Sequence, residues 1–191
     1  PKSFQEVVGQ EVVKKVIKNS ILNDKISHAY IFSGPRGTGK TSMAKLLAKA
    51  LNCDDDDFLN KPCNECKNCQ AINEGTHPDV IELDAASNNG VDEVRDIIDK
   101  VKYAPIMGKY KVYIIDEVHM MTPGAFNALL KTLEEPPAHV IFILATTDVH
   151  KVLPTIISRC QRFDFGRVSS LGIKKRIREV LAQEEITYDE D

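Results

Sequence analysis

Long apolar runs are missing from these 191 residues. The most apolar stretch, Val140-Ile141-Phe142-Ile143-Leu144-Ala145, falls well short of the ~18 residues of a membrane span and fits a buried parallel strand. No membrane partner is expected. A charge excess is missing as well. With 25 Lys and Arg against 28 Asp and Glu the formal charge is −3, so any nucleic-acid contact must come from a local face or an assembly rather than bulk basicity. There are no internal repeats, and no low-complexity tract is longer than Asp54 to Asp57. A composition of 42% hydrophobic and 28% charged residues excludes collagen-like and disordered chains. A basic segment followed by an apolar one, the mark of a secretory signal, is absent at the start. Since the sequence opens on Pro1, it reads as a cut piece of a longer protein, and the expected compartment is the cytoplasm.

Five cysteines are present, and four of them crowd together as Cys53, Cys63, Cys66 and Cys69. An odd count in so tight a cluster suits a metal site in a reducing compartment better than a secreted disulfide framework. Four thiolates would close a tetrahedral zinc site of structural type, with no position left for a catalytic water. An iron–sulfur cluster and a redox dithiol are the competing chemistries. His77 is a weaker substitute ligand, and Cys160 reads as a small buried residue.

The rest alternates between helical and strand patterns. Val12, Val13, Val16, Ile17 and Ile21 recur at helical spacing. Ala29 to Phe32 is a strand, and Ser42 to Leu51 a helix. Residues 52–76 hold the cysteines and little apolar periodicity, so they read as an insertion organised by something other than a core. A strand at Val80 to Leu83, a helix at Asp92 to Val101 and a strand at Lys111 to Ile115 follow. Thr122 and Pro123 cap a helix that turns Phe126, Leu129, Leu130 and Leu133 inward and stops before Pro136-Pro137. Val140 to Ala145 is the fourth strand. Such alternation gives an α/β domain with a mostly parallel sheet. From about Ser169 one basic amphipathic helix, with Ile173, Ile177, Val180 and Leu181, precedes a polar tail.

Gly34-Pro35-Arg36-Gly37-Thr38-Gly39-Lys40-Thr41 matches G-x-x-x-x-G-K-[ST] between a strand and a helix, the setting in which backbone N–H groups and a helix N-terminus surround phosphates. Lys40 would neutralise the β and γ phosphates, and Thr41 would offer its hydroxyl to Mg2+. Kinases and GTPases share this loop, so a second carboxylate must discriminate. The strand Lys111 to Ile115 runs into Asp116 and Glu117: Asp116 can hold Mg2+ or its water shell, and Glu117 can orient and deprotonate an attacking water. The GTP-selecting pattern N-K-x-D is missing, which favours ATP.

These motifs, with Asp116-Glu117-Val118-His119, Leu144-Ala145-Thr146-Thr147-Asp148 and Ser158-Arg159-Cys160, resemble the AAA+ ATPases of the clamp-loader clade. The cysteine insertion and Phe126-Asn127-Ala128-Leu129-Leu130-Lys131-Thr132-Leu133-Glu134-Glu135-Pro136-Pro137 resemble, within that clade, the gamma/tau family of bacterial DNA polymerase III. The resemblance implies a five-stranded parallel sheet flanked by helices, with an AAA+ domain over 1–166 and the start of a helical lid over 167–191. It implies ATP, Mg2+ and Zn2+ as ligands, with Ser42 completing the phosphate loop and the Val7-Val8-Gly9-Gln10 segment lying against the adenine. Thr147 would be sensor 1, and Arg159 an arginine finger serving a neighbouring subunit. Lys131 and Lys151 match DNA-facing positions, while the neutral residues of 84–90 put a DNA contact from that loop in doubt. Implied partners are delta, delta-prime and further gamma/tau subunits, a sliding clamp, primed DNA, and a polymerase reached through regions beyond Asp191. Arg176 and Arg178 fall too early for sensor 2, so weak nucleotide binding and slow turnover are expected of these residues alone. A zinc-bearing scaffold without catalysis and a small-molecule P-loop kinase are the alternative functions.

Overall fold

The computed structural model describes residues 1–88 and 90–187. Five strands form one sheet: β1 (Ala29–Ser33), β2 (Val80–Asp84), β3 (Lys111–Asp116), β4 (Val140–Thr146) and β5 (Gln161–Asp164). Their order is β2-β3-β4-β1-β5, and every neighbouring pair is parallel. This is the expected α/β architecture. The central strands are buried on both faces, which is why they read as unbroken apolar runs rather than alternating ones.

Alternate side chains divide the core in two. Tyr30, Phe32, Val112, Ile114, Ile141 and Ile143 point to the face covered by α1 (Glu11–Leu22) and α2 (Lys40–Asn52). Ile31, Tyr113, Ile115, Phe142 and Leu144 point to the face holding side chains of α4 (Val91–Val101) and α5 (Pro123–Glu134). Between α2 and α4 lies α3 (Lys67–Glu74), inside the cysteine insertion. The short α6 (Pro154–Ile157) precedes β5, and α7 (Ser170–Gln183) is the last helix among the described residues.

Several elements depart from the sequence reading in instructive ways. In α1 only Val13, Ile17 and Ile21 are buried, whereas Val12 lies open to solvent. Leu130 in α5 is half-buried. The insertion holds a helix after all, capped by Cys66, whose sulfur accepts the Cys69 N–H. No residue of α7 is buried, so its apolar stripe of Ile173, Ile177 and Val180 is exposed. Of the 84–90 loop and the polar tail, Asn89 and residues 188–191 lie outside the described residues. Among the described residues no helix is long and apolar enough to cross a membrane.

Candidate nucleotide site and cysteine cluster

β1 sends its chain into α2 on one face of the sheet, while β3 leads to α5 on the other. The carboxyl ends of β1, β4 and β3 therefore border a crevice, where ligands of open parallel sheets bind. Gly34 follows β1, and its N–H donates to the Thr146 carbonyl at the end of β4 (3.2 Å). A Cβ at Gly34 would collide with the Phe165 carbonyl, so only glycine fits there. Gly39 takes a left-handed φ of 92° as the residue before α2, with Val7 packed against it.

A cavity of about 290 Å³ opens at this crevice, lined by Arg36, Gly37, Gly39, Lys40, Thr41, Ser42, Asp116, Glu117 and Thr147. Thus Lys40, Thr41, the two acids and Thr147, separated by more than a hundred positions in sequence, surround one space. The Lys40 ammonium folds back on the loop, donating to the carbonyls of Gly34 (2.6 Å) and Pro35 (2.7 Å). Burial pushes its pKa down, against the pull of Asp116 and Glu117. Pro35 also accepts from the Thr38 hydroxyl (2.7 Å). Thr41 Oγ1 donates to Asp116 Oδ2 (3.2 Å), and the other Asp116 oxygen accepts the Glu117 N–H (2.9 Å). Glu117 is left-handed (φ 51°), a conformation uncommon for a side chain of its kind and concentrated at functional sites.

A second cavity of about 280 Å³ shares Gly37, Gly39 and Ser42 with the first and is walled by Pro1, Glu6, Val7, Val8, Thr38, Val168 and Arg176. The Val7 N–H donates to Phe4 and its carbonyl accepts from Lys14 (2.9 Å), so both of its backbone groups already have partners. Sequence reasoning missed Gln10 as a tie. Its side-chain amide donates to the Thr38 and Gly166 carbonyls and accepts the Gly166 N–H, pinning the lead-in segment to the phosphate loop and to the chain after β5. Arg176 closes this wall through Glu6 (3.4 Å).

The remaining predicted residues stand apart. Arg159 is half exposed, with Nη2 4.0 Å from Glu134 Oε1. Lys131 borders a separate groove between α4 and α5, and Lys151 is exposed, 3.8 Å from Asp148.

In the insertion, the sulfurs of Cys53, Cys63, Cys66 and Cys69 all lie within 4.8 Å of one another. Backbone N–H groups already point at them: Cys63 N–H at Cys53, Glu65 and Cys66 N–H at Cys63, and Cys69 N–H at Cys66. Burial would raise the Cys63 thiol, but the Glu65 and Cys66 N–H groups outweigh it and hold its pKa near 7. Four convergent sulfurs with N–H donors suit a soft divalent ion of the zinc type. His77 does not join them; its Nε2 meets Asn68 Oδ1 (2.6 Å). Cys160 stands apart, half-buried beside the second core, and burial pushes its thiol up to about 12.

Sheet order and phosphate-loop motif together define a P-loop α/β fold of the AAA+ type, and solved structures share that fold. A Holliday junction branch migration motor, RuvB of Thermotoga maritima, aligns with a TM-score of 0.69 over 99% of this chain and 56% of its own, at 19% identity. A DNA polymerase III gamma subunit-related protein of the same organism aligns with a TM-score of 0.56 at 24% identity, over 88% of this chain and 49% of its own. The chain belongs to the DNA polymerase III, delta subunit family, whose pattern matches residues 9–169. It is 61% identical to DNA polymerase III subunit tau of Bacillus subtilis over its whole length, which is 34% of that relative. It is 47% identical to DNA polymerase III subunit gamma of Buchnera aphidicola from Acyrthosiphon pisum, spanning 52% of it. The chain thus covers about a third to a half of these relatives.

Proposed function

We propose that this chain is the ATP-binding and hydrolysing part of a clamp-loader subunit in bacterial DNA replication. The observation that carries the proposal is the meeting of Lys40, Thr41, Asp116, Glu117 and Thr147 around one cavity at the sheet's carboxyl edge. The names of the tau and gamma relatives support the replication setting.

In this reading the backbone from Gly34 to Thr41, with Ser42 behind it, holds a triphosphate at the start of α2, whose dipole favours the anion. Lys40 exchanges its carbonyl partners for phosphate oxygens, and the base side lies toward Val7 and Val8. Thr41 and Asp116 would hold Mg2+, which would supply neutralisation of phosphate charge. Glu117 takes a proton from a water as that water's oxygen bonds to the γ-phosphorus and the bond to the β-bridging oxygen breaks. Thr147 senses the γ-phosphate. Arg159 reaches the nucleotide of a neighbouring subunit, a role that its loose pairing with Glu134 permits. Lys131 and Lys151 meet DNA phosphates without reading bases. Cys53, Cys63, Cys66 and Cys69 would hold zinc, which would stabilise the insertion over 52–76. Residues 1–166 form the nucleotide-binding domain and 167–191 begin a helical lid; the location is cytoplasmic.

Partners are delta, delta-prime and further gamma/tau subunits, the sliding clamp and primed DNA. The testing experiment mixes the full-length protein with these partners and follows phosphate release. Turnover is expected to rise on adding primed duplex and clamp. A rate indifferent to both would refute the clamp-loading role.

A further inference from the structure

Between Glu117 and the end of β4 lies a side chain that the scheme above does not use. His119 sits in the turn Val118–Met120 directly after the two acids. Its Nε2 is 3.4 Å from Glu117 Oε2, and its Nδ1 is 2.8 Å from Thr146 Oγ1. The ring is 9% exposed, and Thr146 is fully buried.

The proton assignment follows from what each neighbour can offer. The Thr146 hydroxyl already accepts the Asp148 N–H (3.0 Å). It has one proton of its own to give, and in a singly protonated ring Nδ1 can take it. That leaves the ring proton on Nε2, facing the carboxylate. The opposite tautomer would set an Nε2 lone pair against a negatively charged oxygen, which is repulsive. The contacts thus run by hydrogen bonds from the Asp148 N–H to the Thr146 hydroxyl and on to His119, and from the His119 ring to Glu117 by a 3.4 Å polar contact.

Thr146 is a junction in a second sense. Its carbonyl accepts the Gly34 N–H that opens the phosphate loop. Thr147, which lines the phosphate cavity, lies between Thr146 and the residue whose N–H the Thr146 hydroxyl holds. One buried residue therefore fixes the first phosphate-loop glycine, the backbone on either side of Thr147 and, through His119, the carboxylate of Glu117.

We propose that His119 is a positioning residue for ATP hydrolysis: it orients the Glu117 carboxylate toward the attacking water and ties that orientation to the Thr146–Asp148 segment carrying Thr147. The proposal rests on the reading of Glu117 as the base that activates water. His119 itself does not line the phosphate cavity. A misplacement of the base by about 1 Å costs on the order of 100-fold in rate while leaving phosphate contacts intact, so the signature is a loss in kcat without a loss in nucleotide affinity.

The experiment uses the full-length protein assembled with its partner subunits, measuring ATP affinity and DNA-stimulated turnover. His119→Ala is expected to lower kcat about 10- to 100-fold with the ATP Kd within about threefold of wild type. His119→Gln, which can still present an N–H to Glu117, recovers part of the loss. Thr146→Val, which touches neither acid, lowers kcat in the same way, and the double variant is no worse than His119→Ala alone because both act through one chain of contacts. Turnover within twofold of wild type in His119→Ala overturns the proposal. So does a parallel loss of kcat and affinity in both His119 variants, which would mark a merely structural residue. Glu117→Gln run alongside separates the levels: if it too turns over normally, the reading of Glu117 fails rather than the role of His119.

Discussion

Thr41 Oγ1 donates to Asp116 Oδ2 across 3.2 Å, joining the first turn of α2 to the end of β3. A hydroxyl and a carboxylate so close, at the edge of a cavity that also holds Lys40, are spaced to share one hard cation through oxygen ligands. Thr41→Ala is expected to raise the Mg2+ concentration needed for half-maximal ATP binding about tenfold, since one ligand is lost while the phosphate loop stays. Thermal melting without nucleotide should shift by no more than a few degrees, because the pair is exposed. Titrating Mg2+ at fixed ATP checks both statements.

The cysteine cluster predicts a stoichiometry and a reactivity pattern. The purified protein should carry one zinc per chain, and a strong chelator should release it together with four rapidly reacting thiols. The fifth cysteine, Cys160, should react more slowly, because burial holds its thiol up to about 12. Counting fast and slow thiols before and after chelation is the measurement; five equally reactive thiols in the untreated protein would contradict it.

Lys49 supplies a third prediction. Its side chain is 1% exposed, yet the ammonium has three partners: the Lys2 carbonyl (2.8 Å), Asn64 Oδ1 (2.8 Å) and Asn73 Oδ1 (2.9 Å). One buried cation thus fastens α2, the N-terminal segment and the cysteine insertion together. Lys49→Met would leave Asn73 Oδ1 without its donor, while the Lys2 carbonyl and Asn64 Oδ1 keep Asn64 Nδ2 and Asn73 Nδ2, and the loss of the three-way tie should cost about 1–3 kcal/mol of stability, read from denaturant unfolding. It should also raise protease sensitivity within residues 52–76.

Asp79 sets an acid limit. Its carboxylate is fully buried and accepts the N–H groups of Ile106, Met107 and Gly108, each at 2.7 Å. Burial would raise the Asp79 pKa, but those three donors outweigh it and hold the carboxyl below its ordinary value. The group therefore stabilises the fold fully above about pH 4, the unfolded value, and loses that contribution as pH falls through the lower folded value. Asp79→Asn, which cannot accept three N–H groups with both side-chain atoms, should lower stability at neutral pH and flatten its dependence on pH below 4. Equal melting temperatures for variant and wild type at pH 7 would count against this account.

Much of the fold was readable because β1, β3 and β4 are buried on both faces and are apolar along their middles, with polar residues only at their ends. β5 was not readable from residues alone: it is an edge strand whose one buried member is Phe163, and the resemblance implied a fifth strand without placing it. Helix α3 was hidden for a different reason. It buries Asn68, Cys69 and Ile72 and is capped by a sulfur, so no apolar period announces it. The excess of valines in α1 overstated its inward face, for Val12 stays in solvent. At the site, the phosphate loop and the two acids are local motifs and were visible. The link from Thr146 through His119 to Glu117 was not, because one side-chain hydrogen bond and one 3.4 Å polar contact bring the ends of β4 and β3 together and leave no spacing in the sequence.

The central claim is that a triphosphate held at Gly34 to Thr41 is cleaved by a water that Glu117 activates. Its most direct test compares ATP·Mg2+ binding and single-turnover hydrolysis in the assembled full-length protein and its Glu117→Gln variant. The account predicts an unchanged Kd with hydrolysis slowed about 100-fold or more. Hydrolysis at the wild-type rate in the variant, or binding that survives Lys40→Ala undiminished, would contradict it.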